Sequence, residues 1–232
     1  MRRLVLFDID GTLLLTHGAG RRALEQSLES ILHQPFSLEG MDFAGKTDWS
    51  IINDLLKQHN IYLAPDDPLF HRILQTFSEV LAQEIQANGV EVLPGITSLL
   101  EALHNHPAVI LGLLTGNLKP NAVLKLKAAG LNRYFVTGAF GDDHPDRNAL
   151  PAIALKRTRL FTGLPLSGKH TCIIGDTPRD ISCARVIDAY TIAVCTGPYT
   201  CQELKKHQPH QLFRNLSDTS QVLDTLLNHA VL

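Results

Sequence analysis

Leu4-Val5-Leu6-Phe7, followed without a break by Asp8-Ile9-Asp10-Gly11-Thr12-Leu13, is the stretch on which the reading of this chain turns. Four consecutive apolar residues have the length and composition of a buried strand. Two carboxylates stand at its exit with one residue between them. In extended backbone, side chains two positions apart share a side, so the two acids repel unless a cation or a shared proton compensates. Gly11 lets the chain turn sharply or lets a ligand approach the backbone. One acid held ionised as a nucleophile, beside a second that carries a proton, suits phosphoryl transfer with a divalent metal. The plainer reading is a strand that ends in a turn, with Asp in its ordinary turn role.

Outward from this stretch, three more apolar runs predict strands: Ala108 to Leu114, Thr171 to Ile174, and Tyr190 to Val194. A further short run is Tyr134-Phe135-Val136. Helical patterns separate them. One opens at Pro94 with Leu99, Leu100 and Leu103 on its buried side. Another runs from Lys119 to Ala129 and stops at Gly130. Leu150 to Phe161 and Pro178 to Val186 supply two more. Short buried strands alternating with helices predict an α/β fold, a parallel sheet with helices on both faces. Ligands of such sheets collect at the carboxyl ends of the strands.

Residues 17–90 break the alternation. They read as helices over Gly20 to Leu32, Trp49 to His59 and Pro68 to Asn88. The expectation is an all-helical cap over 17–90, with hinges near Gly18-Gly20 and Gly89-Pro94, on a core built from 1–16 and 91–232. The plainer alternative is a helical subdomain with no gating role.

Two other predicted strand ends carry suitable chemistry. Thr115-Gly116-Asn117 offers a hydroxyl and free backbone N–H groups to a phosphate oxygen, although the tripeptide is also a common turn. Asp176 ends the strand before Thr177-Pro178-Arg179-Asp180 and is placed to share a metal with Asp8. Thr177 and Asp180 also read as a helix capping box with Pro178 in the first turn. Asp180 can serve both purposes by orienting Asp176. Arg147 precedes the helix after the third strand, where an arginine can bind phosphate and an acid or sit solvated on the surface.

The 232 residues suit one large domain or a core with an insert. With 44% hydrophobic and 19% charged residues, a substantial core is available. A net charge of −2 gives no case for nucleic-acid binding. No apolar run is long enough to span a membrane, and the first run is too short for a signal peptide. Cys172, Cys183, Cys195 and Cys201 form no Cys-x-x-Cys pair. Cys172 and Cys195 lie in apolar runs and read as small core residues. A reducing cytoplasm is the simplest setting.

Together these four segments resemble the haloacid dehalogenase-like hydrolase superfamily, and within it the phosphoglycolate-phosphatase-type branch with a helical cap. The resemblance rests on Asp8-Ile9-Asp10-Gly11-Thr12-Leu13 combined with Gly175-Asp176-Thr177-Pro178-Arg179-Asp180, and it spans almost the whole chain. It implies a Rossmann-like core with a central parallel sheet. It also implies Asp8 as a nucleophile that forms an aspartyl-phosphate, and Asp10 as general acid and then base. Mg²⁺ would be held by Asp8, Asp176 and the backbone carbonyl of Asp10, with Asp180 supporting that shell. Thr115, Gly116 and Asn117 would bind the phosphoryl group. The family's third motif is usually a lysine. None stands between Lys127 and Lys156, so that role is assigned to Arg147.

The resemblance also separates related chemistries. Dehalogenases and phosphonate-cleaving relatives lack the acid at Asp10, so the expected activity is Mg²⁺-dependent hydrolysis of a small phosphorylated metabolite. A sugar-phosphate mutase or other phosphotransferase, and a non-catalytic regulatory member, are the alternatives. In the cap, Gly45-Lys46-Thr47-Asp48 resembles a substrate-facing loop. Lys46 there is either a substrate ligand or a solvated lysine with Asp48 as helix N-cap. Arg21 and Arg22 face the cleft or a surface helix. Asp142-Asp143-His144 reads as a solvated loop. The oligomeric expectation is a monomer or homodimer.

Overall fold

The computed structural model describes residues 2–228. In chain order these form β1 (Arg3–Phe7), β2 (Leu14–Leu15), α1 (Ala19–Leu32), α2 (Asp48–Gln58), α3 (Pro68–Asn88), β3 (Glu91–Val92), α4 (Ile96–His104), β4 (Val109–Leu114), α5 (Lys119–Ala128), β5 (Thr137–Ala139), α6 (Leu150–Thr162), β6 (Thr171–Gly175), α7 (Pro178–Arg185), β7 (Tyr190–Val194), α8 (Cys201–Lys206), β8 (Gln211–Phe213) and α9 (Thr219–Asn228).

The expected α/β architecture is present. Six strands form one sheet in the order β5-β4-β1-β6-β7-β8, with every pair parallel. Successive β1 residues feed opposite faces of the sheet. Val5 and Phe7 join one apolar cluster with Leu111, Leu113, Cys172 and Ile174. Leu4 and Leu6 join another with Ile110, Leu114 and Ile173. The chain leaves β1 toward β4 on one side and later returns to β6 on the other. Their carboxyl ends therefore flank a topological switch point, the usual crevice for a ligand in such sheets.

The helical insert has a core of its own. Leu24, Leu28, Ile52, Leu55, Ile73, Phe77 and Leu81 are buried together from α1, α2 and α3, and Leu118 of the core closes the cluster. Both connections run through an unforeseen ribbon, β2 paired antiparallel with β3. Gly18 and Gly89 at the helix ends take positive φ, 81° and 71°, as a residue without a side chain does readily.

The insert rests on the strand ends. The Asp48 N–H donates to Gly116 O at 2.7 Å, and the Thr47 hydroxyl donates to Pro145 O at 2.8 Å. Arg179 reaches across to Asp42 at 2.9 Å. The approach is close enough that a Cβ on Gly116 would meet Lys46 O at 1.9 Å.

Some expectations need correction. The third strand is Thr137–Ala139, not Tyr134-Phe135-Val136. Tyr134 sits in a short 3₁₀ turn, where its buried ring packs into the core and its hydroxyl donates to Glu101 at 2.8 Å. The apolar run there reflects packing rather than pairing. The elements α8, β8 and α9 went unread; β8 has three residues, too few for a period to show. The N-cap of α2 is Thr47, whose hydroxyl accepts from Ser50 N at 3.1 Å, and not Asp48. Cys195 is not a free core residue, because it is disulfide-bonded to Cys201. Cys172 and Cys183 are buried and free. Among the described residues no helix is long and apolar enough to cross a membrane.

Candidate active site

Each acid of the site is placed by the end of an element. Asp8 follows β1 directly, and its N–H continues the ladder to Ile174 O at 2.9 Å. Asp176 follows β6 in the same way. Asp180 lies in the first turn of α7, where Thr177 caps the helix and the reciprocal capping box closes. The Thr177 N–H and hydroxyl both donate to one Asp180 oxygen, at 3.0 and 2.6 Å. One ligand atom from each of Asp8, Asp176 and Asp180 lies within 4.8 Å of the others, and all three residues are buried.

Arg147 is the cation among these acids. It is buried, with Nη2 at 2.5 Å from Asp180 and 3.2 Å from Asp8. Burial opposes its charge, but the two carboxylates hold it firmly protonated. Its Nε is buried without a hydrogen-bond partner. One guanidinium among three buried acids leaves an excess of negative charge. Burial pushes Asp8 up to about 7, against the pull of Arg147, with Asp180 and Asp10 adding to the rise. Asp176 is raised well above the ordinary carboxylate range by burial and by the charges of Asp8 and Asp180.

The surroundings of Asp176 fit a small hard cation. Thr12 donates its hydroxyl to one Asp176 oxygen at 2.9 Å. Gly11 and Gly197 stand against the carboxylate so closely that a Cβ on either would lie 2.4 or 1.7 Å from the other oxygen. Oxygen donors with excess negative charge, in a space no larger residue could line, match what Mg²⁺ requires. Asp8 and Asp176 are the acids with an oxygen left for a cation, because both Asp180 oxygens are already engaged by Arg147 and Thr177.

Asp10 does not join this cluster through its side chain. Lys125 Nζ lies 2.8 and 2.7 Å from its two oxygens, and Asn117 Nδ2 donates to it at 2.7 Å. Lys125 also donates to Asn117 Oδ1 at 2.6 Å. Thr115 is fully buried, and its oxygen accepts from Asn117 Nδ2 at 2.8 Å and Asn117 N at 3.2 Å. Those bonds leave the Thr115 O–H as a donor. Two separately compensated carboxylates thus leave β1, one beside Arg147 and one beside Lys125.

Lys125 is the residue that sequence reasoning missed. A signal was present, since helical spacing puts Lys125 on the same face as Asn121, Ala122 and Leu126, all buried. The loop Thr196-Gly197-Pro198 was missed too. It lines the cavity, and its Thr196 hydroxyl donates to Gly11 O at 2.6 Å. The Cys195–Cys201 disulfide spans this loop.

A cavity of about 700 Å³ opens over these groups, lined by Asp8, Asp10, Thr115, Asn117, Arg147 and Asp176 from the core and by residues of the insert. Lys46 lines it with its ammonium paired to Asp54 at 2.9 Å. Gly116 serves to seat the insert, as its carbonyl accepts from Asp48. Arg21 lines the cavity, whereas Arg22 turns to Glu84 at 2.7 Å. Asp143 is paired with Arg157 at 2.5 Å and belongs to no metal-competent group among the described residues.

The family model described as haloacid dehalogenase-like hydrolase matches residues 2–188. The chain is 23% identical over 216 residues to pyrophosphatase PpaX of Oceanobacillus iheyensis, covering 93% of this chain and 94% of that protein. It is 25% identical to a phosphoglycolate phosphatase of Pseudomonas fluorescens, over 84% of this chain and 70% of the other. In fold it resembles the crystal structure of a hydrolase from Pseudomonas syringae, with a TM-score of 0.71 and 21% identity over 97% of this chain and 99% of that one.

Proposed function

Since this chain belongs to the haloacid dehalogenase-like hydrolase family, we propose that it hydrolyses a small-molecule phosphate monoester, with Mg²⁺, through an aspartyl-phosphate on Asp8. The observation that carries this reading is the division of labour after β1. Asp8 is buried beside Asp176, Asp180 and Arg147, whereas Asp10 faces the cavity beside Lys125 and Asn117.

In the first half-reaction an Asp8 oxygen attacks phosphorus. The bond from phosphorus to the leaving oxygen breaks, and Asp10 gives that oxygen its proton. In the second half, the Asp10 carboxylate takes a proton from water, the water oxygen attacks phosphorus, and Asp8 is released with inorganic phosphate. A positioned acid and base of this kind contributes roughly 10²–10⁴-fold. Asp8 and Asp176 would hold Mg²⁺, which would supply positive charge to offset the repulsion between the nucleophile and an anionic substrate. The Thr115 hydroxyl donates to a phosphoryl oxygen, Asn117 fixes Thr115 and Asp10 through its amide, and Arg147 fixes Asp8 through their ion pair at 3.2 Å. Most of the acceleration in phosphoryl transfer comes from such positioning and charge. The helical insert acts as a cap that excludes water from the cavity.

The test is phosphate release from p-nitrophenyl phosphate and a panel of metabolite phosphates, with Mg²⁺ and with EDTA. EDTA-sensitive release, lost in a folded Asp8→Asn variant, is the expected result. Activity retained by Asp8→Asn sinks the mechanism. Transfer to a second hydroxyl in place of free phosphate replaces hydrolysis with the phosphotransferase reading.

A further inference from the structure

The cavity is larger than the phosphoryl group needs, and the insert makes its added walls apolar. Ligand cavities of ~300–1,000 Å³ ordinarily take molecules of drug size, and this one encloses about 700 Å³. Leu15 of the ribbon and Leu24, Met41, Phe43, Ile51 and Phe77 of the insert line it. A two-carbon leaving group would touch few of them.

The charged groups on the insert side are mostly spent. Lys46 is paired with Asp54 at 2.9 Å, and Asp42 with Arg179 at 2.9 Å. Arg21 has no acidic partner among the described residues. Its guanidinium donates to Leu38 O at 2.9 Å and Met41 O at 3.1 Å, and its Cζ lies over the Phe43 ring, 4.4 Å from the centroid. An arginine engaged in this way presents a planar stacking face rather than a point charge. A second anionic group on the substrate meets no unpaired lysine there, whereas a ring meets a stack and an aliphatic wall.

We propose that the leaving group of the substrate is a bulky apolar alcohol, aromatic by preference, seated against Phe43, the Arg21 guanidinium and Met41. This rests on the phosphatase reading above and narrows its substrate class. The assignment also takes Lys46 out of the role of a carboxylate ligand.

The experiment compares kcat/KM for ethyl phosphate, 2-phenylethyl phosphate and 2-phosphoglycolate with Mg²⁺, beside p-nitrophenyl phosphate as an activated reference. The two alkyl esters release alcohols of similar acidity, so their ratio reports contacts made by the ring. Each buried methylene is worth roughly four-fold, and 2-phenylethyl phosphate is expected to exceed both small substrates by at least about 30-fold. Phe43→Ala is expected to shrink that ratio by about 10-fold, chiefly through KM for the phenyl ester. Equal kcat/KM for the two alkyl esters, or a preference for phosphoglycolate, overturns the inference while release from p-nitrophenyl phosphate keeps the phosphatase reading. No release from any of the four overturns both.

Discussion

Lys125 Nζ lies 2.8 and 2.7 Å from the two carboxylate oxygens of Asp10, so the second acid of Asp8-Ile9-Asp10 has its own buried cation 115 residues away in sequence. Asp8 has a different one in Arg147. The repulsion implied by two adjacent carboxylates is thus relieved separately for each.

Lys125→Met keeps the length and apolar stem of the side chain and removes the charge from Asp10. We expect kcat to fall by about 100-fold with the fold retained. Activity within a few-fold of the parent would dismiss Lys125 as a structural contact.

Arg147→Ala leaves Asp8 and Asp180 buried without their shared guanidinium. Breaking a buried pair by removing one partner costs about 3–5 kcal/mol, and urea unfolding without metal should show a loss of that order. Saturating Mg²⁺ is expected to restore part of it, because a divalent cation offsets the same charges. A variant as stable as the parent without metal would show that the pair carries no net stability.

The pH dependence follows from Asp8. Its carboxyl is raised from 3.8 to about 7, so the folded chain holds this proton more tightly than the unfolded chain. A group raised in this way stabilises the fold fully below about pH 4, and that contribution is lost as pH rises through about 7. Mg²⁺ requires the ionised acid. The rise in Tm on adding Mg²⁺ should therefore grow between about pH 5 and pH 8. A Mg²⁺ shift that is constant across that window contradicts the assignment of Asp8 as a ligand.

Cys201→Ser opens the disulfide to Cys195. Closure of so short a loop constrains the unfolded chain by about 2 kcal/mol, which thermal unfolding would detect. The loop also presses Gly197 on Asp176 and holds Gly11 through Thr196. Apparent Mg²⁺ affinity should weaken by a few-fold as well, as titration calorimetry on the folded variant would show. Unchanged affinity would confine the disulfide to stability.

Local order made much of this molecule legible in its residues. The strand ending in Asp8, the helix from Pro68 to Asn88, and the Thr177–Asp180 capping box depend on neighbours within a few positions, and their patterns are written in the chain. The acid motifs were readable because a strand exit fixes where Asp8 and Asp176 emerge, whatever lies around them. Tertiary structure alone decided which cation answers which acid. Arg147 and Lys125 reach Asp8 and Asp10 across 139 and 115 residues of chain, and charge pairing at such separations leaves no periodic trace. The same holds for Gly116 and Gly197, whose missing side chains are required only because the insert comes against the first and the Asp176 carboxylate against the second. Short-range propensity fixes elements, whereas the electrostatic balance of the site exists only once buried groups with no sequence relation are brought within a few ångströms and removed from water.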